Sequence, residues 1–123
     1  MRDRLGALPL FADLEDAQLD RLAAATTEFE APAGQTLIER GRPGSGMFVL
    51  EEGQAIVEAP EGMRDLGPGD VFGERALLGE EIERTARVRA RTDVRCLAIA
   101  RPEIERLLAE DSRVAARLTQ LSA

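Results

Sequence analysis

The stretch GDVFGERALLGEEIERTARVRA, residues 69–90, decides how this chain is read. Val71 and Phe72 make a short apolar run, Gly73 interrupts it, and ERALL is a helix-forming run. Arg84 then opens RTARVRA, which alternates as a strand does. In that strand Ala86, Val88 and Ala90 share one parity, and Arg87 and Arg89 share the other. Arg84 falls on the apolar parity, at the rim of the inward face. A guanidinium there needs an anion. Glu74 and Glu83 are the candidates within the chain, and a bound anion is the alternative.

Working outward, the flanking texture predicts a β-rich middle. TTEFEA alternates from Thr26, TLIE follows the turn PAGQ, and MFVLEE is closed by Gly53. AIVEA, a strand through RDL, VF, TARVRA and VRCLAIA continue the series. About eight short strands with turns between them predict a sandwich, barrel or jelly roll. Before this region, EDAQLDRLAAA at 15–25 has Leu19, Leu22 and Ala23 at helical spacing, with Asp13 as its expected cap. LPLF, broken by Pro9, is expected to pack as a turn. After the strands, RPEIERLLAED and SRVAARLTQLSA predict two helices. Pro102 sits in the first turn of one, and Ser112 is the expected cap of the other. The predicted order is one domain over 1–123. It has a helical segment at 1–25, a β-roll at 26–100 and C-terminal helices at 101–123.

Composition narrows the chemistry. The chain has 123 residues, a formal net charge of −7, no histidine and one cysteine. All its basic side chains are arginine. Without histidine, histidine triads and histidine metal sites are excluded. Cys96 alone makes no internal disulfide or zinc knuckle, and its apolar surroundings predict a core position. The acidic balance argues against direct nucleic-acid binding. No stretch approaches the length of a membrane span, and no signal-peptide pattern opens at Met1, so the expectation is a cytoplasmic chain with no membrane insertion.

The residues around Gly73 suggest one ligand chemistry. Free amides at a helix start attract phosphate, and glycine permits close approach. Arginine makes paired, charged hydrogen bonds to phosphate. Glu74 would repel a phosphate, but it accepts from a ribose hydroxyl. Taken together, Glu74, Arg84, Thr85 and the amides after Gly73 suggest a small ribose phosphate. Each also has a plainer reading: Glu74 as a first-turn carboxylate favoured by the helix dipole, and Arg84 in an internal ion pair.

Nearly the whole chain resembles the cyclic-nucleotide-binding domains of catabolite activators, kinase regulatory subunits and cyclic-nucleotide-gated channels. LPLFADLEDAQLDRLA resembles the family's entry helix. PAGQTLIERGRPGSGMFVLEEGQAIV resembles its first hairpins, with Gly34, Gly41 and Gly53 at turns and Phe48 in an aromatic slot. LGPGDVFGERALL followed by RTARVRA resembles its phosphate-binding cassette, residues 72–86 here. The resemblance implies a mainly β fold: a jelly-roll-like β-roll of about eight strands with an N-terminal helix, a short cassette helix and two C-terminal helices. It implies that Glu74 accepts from the ribose 2′-hydroxyl and Arg84 pairs with the cyclic phosphate. The amides after Gly73, at Arg75 and Ala76, would complete the cradle. Thr85 would contact phosphate and, in some members, a syn guanine. Val57 and Leu66 would line base and sugar, with Val71 and Phe72 holding the cassette against the roll.

The expected function is therefore a sensor of a 3′,5′-cyclic nucleotide, cAMP ahead of cGMP, with no other cofactor and no enzymatic activity. Its output would pass to an effector protein or a fused domain. Two features depart from the family pattern. Arg75 replaces a commoner aliphatic residue, and the helical tail is short for the lid and homodimer seam seen in many members. Within residues 1–123 no DNA-reading winged helix is expected. The alternative is a nucleotide-free interaction scaffold in which Glu74 pairs with Arg84.

Overall fold

In the computed structural model the described residues are 1–38, 46–73 and 87–122, with side chains described as far as Leu118. The elements are α1 (Arg2–Gly6), a 3₁₀ turn (Pro9–Phe11) and α2 (Asp16–Ala24). The strands follow as β1 (Thr26–Ala31), β2 (Thr36–Ile38), β3 (Met47–Glu52), β4 (Ala55–Ala59), β5 (Gly62–Leu66), β6 (Val71–Phe72), β7 (Arg87–Ala90) and β8 (Val94–Ile99). The chain closes on α3 (Arg101–Glu110) and α4 (Ser112–Ser122). The strands form two four-stranded antiparallel sheets, ordered β1-β8-β3-β6 and β2-β7-β4-β5.

Strands β3, β6 and β8 of the first sheet bury residues on both faces, and their side-chain parity divides the core in two. Met47 and Val49 of β3, Val71 of β6, and Leu97 and Ile99 of β8 face the helices. Leu50, Phe72, Val94 and Cys96 face the second sheet, packed with Ala55, Leu66, Val88 and Ala90. The second sheet is buried on one face only, so β7 alternates: Val88 and Ala90 are buried, Arg87 and Arg89 exposed. This is the parity expected for RVRA. Cys96 is fully buried, and burial pushes its thiol up to about 11, which leaves it inert at neutral pH.

The helical layer is built from both ends of the chain. Leu5, Leu10, Phe11, Leu19 and Leu22 pack with Ile104, Leu107, Val114 and Leu118. Ion pairs lie over this core. Arg21 of α2 reaches Glu103 at 3.0 Å and Glu110 at 2.7 Å, and Arg117 of α4 pairs with Asp13.

Local details differ from the sequence reading at the caps. Asp13 does not cap α2. The N-cap position is Glu15, whose backbone N–H donates to Gln18 Oε1 at 3.0 Å, and Asp13 serves Arg117 instead. α4 begins after Asp111 rather than on a Ser112 cap: Asp111 Oδ1 accepts the Arg113 N–H at 2.9 Å. LPLF is more ordered than a plain turn, since Pro9–Phe11 is a 3₁₀ helix with Leu10 and Phe11 buried. Within the helical segment expected at 1–25, no separate helix was foreseen at Arg2–Gly6. RDRLG is too short to be helical by itself. It is held by Leu5, which is fully buried, and by Arg4, which pairs with Glu28 of β1 and Glu51 of β3. The cassette helix expected after Gly73, and Gly41 with its turn, lie outside the described residues.

Candidate functional site

The site predicted from sequence joins the two sheets. β6 ends at Phe72, which is buried and stacked on Phe48 at a centroid distance of 5.2 Å. Phe48 also meets Phe29 edge-on at 5.9 Å, so an aromatic row anchors this end of the first sheet. Gly73 then turns the chain with φ of +80°, a conformation that favours glycine. The chain re-enters at Arg87 as β7, in the other sheet. Residues 74–86 therefore connect the sheets. Glu74, Arg75, Ala76, Arg84 and Thr85 all fall within that connection and lie outside the described residues.

The two remaining predicted residues are described. Val57 and Leu66 stand on the inner face of the second sheet. Register fixes this: Val57 pairs with Val88 across β4 and β7, and Leu66 pairs with Ala55 across β4 and β5. Leu66 is buried in the core between the sheets, while Val57 is half-buried at its margin. Phe48 and Leu37 are half-buried beside the same core. Half-buried apolar side chains at the edge of a core are suited to the faces of a base or sugar. Val71 faces the helices and Phe72 faces the roll, so the two residues before Gly73 hold it against both cores.

The outer face of the second sheet has a different character. Arg91 pairs with Asp65 at 2.7 Å, and Arg89 lies 3.5 Å from Glu58. One further residue of this sheet was not singled out from sequence. Arg64 pairs with Val57 across β4 and β5, and so shares its inward face. The signal was available: Arg64 stands two residues before Leu66, and strand parity repeats every second residue.

A separate pocket of about 370 Å³ lies where β1 and β3 end and β8 begins, lined by Glu30, Pro32, Glu52, Asp93 and Arg95 among others. Three carboxylates face one guanidinium there, a charge balance that opposes phosphate. Among the described residues no group of acidic or cysteine side chains is arranged to hold a metal ion, and no helix is long and apolar enough to cross a membrane.

Comparison with known proteins agrees with this architecture. Residues 28–111 match the model of the cyclic nucleotide-binding domain family. A cAMP-dependent protein kinase regulatory subunit of Aspergillus fumigatus is 38% identical over 109 residues, which cover 85% of this chain and 26% of that protein. A cyclic nucleotide-gated potassium channel of Mesorhizobium japonicum is 35% identical over 111 residues, covering 90% of this chain and 31% of the channel. The chain thus spans only a quarter to a third of these relatives. Among solved structures, the regulatory subunit of a cAMP-independent protein kinase A from Trypanosoma brucei superposes with a TM-score of 0.85 at 25% identity, over 98% of this chain and 43% of that one. The double-sheet roll, the glycine turn that leaves it and the family match over most of its length lead to one assignment: the chain belongs to the cyclic nucleotide-binding domain family.

Proposed function

We propose that this chain binds a 3′,5′-cyclic nucleotide between the inner face of the second sheet and the connection that follows Gly73. The observation that carries the reading is the composition of that connection. In a chain of this family, it keeps Glu74 and, ten residues on, Arg84 and Thr85. In this reading Glu74 accepts from the ribose 2′-hydroxyl and Arg84 pairs with the phosphate. The Arg75 and Ala76 amides add neutral donors to the phosphate, and Thr85 adds its hydroxyl. Val57 and Leu66 form the apolar wall for base and sugar. The names of relatives favour cAMP as the ligand.

The signal would leave through the helices. α3 and α4 are tied to the N-terminal segment by Arg21–Glu103, Arg21–Glu110 and Arg117–Asp13, so the two ends of the chain share one helical layer. A ligand that draws the connection toward the roll would shift this layer relative to the sheets, and a partner protein or an adjoining domain would read the shift. The name of the Trypanosoma neighbour, a cAMP-independent kinase subunit, supports a second reading. In it the same fold holds no cAMP, and Glu74 and Arg84 pair with each other.

Scanning calorimetry with cAMP or cGMP distinguishes the two readings. A ligand at a hundred times its Kd stabilises the folded state by about 2.7 kcal/mol, which raises Tm by about 10 °C in a domain of this size. An unchanged Tm with both nucleotides at millimolar concentration would leave the scaffold reading in place.

A further inference from the structure

We propose that the outer face of the second sheet is a self-complementary surface on which a second copy of this chain docks. This surface faces away from the proposed nucleotide site, so the inference stands apart from the ligand. Along each strand, outward residues alternate with the inward ones that build the core. Register places Arg89 of β7, Ile56 of β4 and Asp65 of β5 side by side in one outward row. Arg87, Glu58 and Met63 form the next. The first row reads cation, apolar, anion from β7 to β5. The Arg89 and Asp65 side chains are 45% and 75% exposed, and Ile56 between them is half-buried. Met63 is 72% exposed, the most of any large apolar side chain among the described residues.

The charges of the first row are only partly used within the chain. Arg89 lies 3.5 Å from Glu58, long for a hydrogen bond. Arg91 meets Asp65 at Oδ1, 2.7 Å away. A carboxylate accepts at both oxygens, and a guanidinium has five donors. Consider a second copy laid face to face about a two-fold axis that runs parallel to the strands over β4. That axis brings β7 of each copy onto β5 of the other. Arg89 then meets Asp65 of the second copy, twice by symmetry, and Ile56 packs on Ile56. An axis across the strands would instead stack β7 on β7 and set arginine against arginine, so charge selects one orientation. Aligned sheets packed about 10 Å apart let such side chains interleave. The next row fits the same axis, since it lays the aliphatic stem of Arg87 on the exposed Met63. Glu58 approaches its own copy there, but it sits beside Arg89 and its side chain is only 22% exposed. Three short strands make a small, largely polar interface, so the dimer is weak and depends on concentration.

Sedimentation velocity of the intact chain, in a concentration series reaching millimolar, measures the association. Arg89→Asp and Asp65→Arg each turn two attractions into two repulsions, so either variant alone should dimerise at least about 10-fold more weakly. Mixed in equal amounts, the two variants regain both contacts, and dimers should reappear in the concentration range of the parent. Both positions are exposed, and an unaltered far-UV spectrum checks that each variant folds. Ile56→Glu probes the same axis without touching either charge, and it should also weaken the dimer. A parent chain that stays monomeric throughout the series overturns the proposal. So does a dimer indifferent to these substitutions, which would place the second copy on another surface, such as the free edge of β5. Charge reversals that abolish association with no recovery on mixing overturn it as well, because Arg89 and Asp65 then do not meet across the interface, and the face is left to a different protein or a polyanion.

Discussion

Asp111 holds the corner between the last two helices. Its carboxylate accepts the Arg113 N–H and pairs with the Arg113 guanidinium at 2.9 Å. The side-chain hydrogen bonds from Arg113 hold the Asp111 pKa below its usual value, against the opposing effect of burial. A depressed carboxylate pKa contributes stability above the unfolded value near 3.9, and that stability is lost as pH falls through the lower folded value. Asp111→Asn keeps an oxygen for the cap but removes the charge. The Tm of this variant should lie below that of the parent at pH 6–7, and the two should converge as pH drops below about 4. Melting curves across pH that keep a constant gap would contradict this account of the corner. Gly53 gives a second test at the same scale. It sits at φ of +91°, and a Cβ there would lie 2.3 Å from the Asp93 carbonyl oxygen. Gly53→Ala should cost about 1–3 kcal/mol for the backbone strain, and more for the clash, in urea unfolding. Such residue-level geometry was only partly legible in the sequence. Strand parity placed Val88 and Ala90 inside because alternation is local. Asp13 and Ser112 looked like caps because composition alone does not say where a helix starts, and the tertiary partner Arg117 claims Asp13.

α4 shows how the elements are held. Val114 and Leu118 are buried against the helical layer, while Arg117 pairs with Asp13 at the surface. The apolar contact should dominate, because exposed ion pairs contribute about 0–1 kcal/mol. Leu118→Ala is expected to destabilise the chain by about 2–5 kcal/mol, and Arg117→Ala by under about 1 kcal/mol. Chemical denaturation of both variants checks the order, and an Arg117→Ala loss as large as that of Leu118→Ala would contradict it. Strands and long helices were legible because their periodicities differ and each has enough residues to show one. α1 was not legible, because five residues carry no period and its helix depends on Leu5 and Arg4 meeting partners far along the chain. Arg64 was overlooked for a different reason: an exposed arginine on a short edge strand looks solvated until register pairs it with Val57.

At the scale of the whole molecule, the first sheet serves two cores at once. β3, β6 and β8 each send alternate residues to the helical layer and to the roll, so neither core can open without disturbing the strands of the other. This argues for a single cooperative unfolding transition with matching calorimetric and van't Hoff enthalpies. Two resolved transitions would show that the helices and the roll melt separately. The same arrangement links the site to the helices: Val71 and Phe72, on opposite faces of β6, lead directly into Gly73 and the connection that carries Glu74 and Arg84. Tryptophan and tyrosine are both absent, so intrinsic fluorescence offers little, and heat is the better signal. The central claim is that Arg84 meets the phosphate of a cyclic nucleotide, and isothermal titration of the parent chain and Arg84→Ala tests it most directly. The account predicts that at least one of cAMP and cGMP binds the parent and that Arg84→Ala weakens it by about 2–5 kcal/mol, the cost of losing one partner of a desolvated charge pair. Binding that is indifferent to Arg84, or no binding to the parent at millimolar nucleotide, would contradict it.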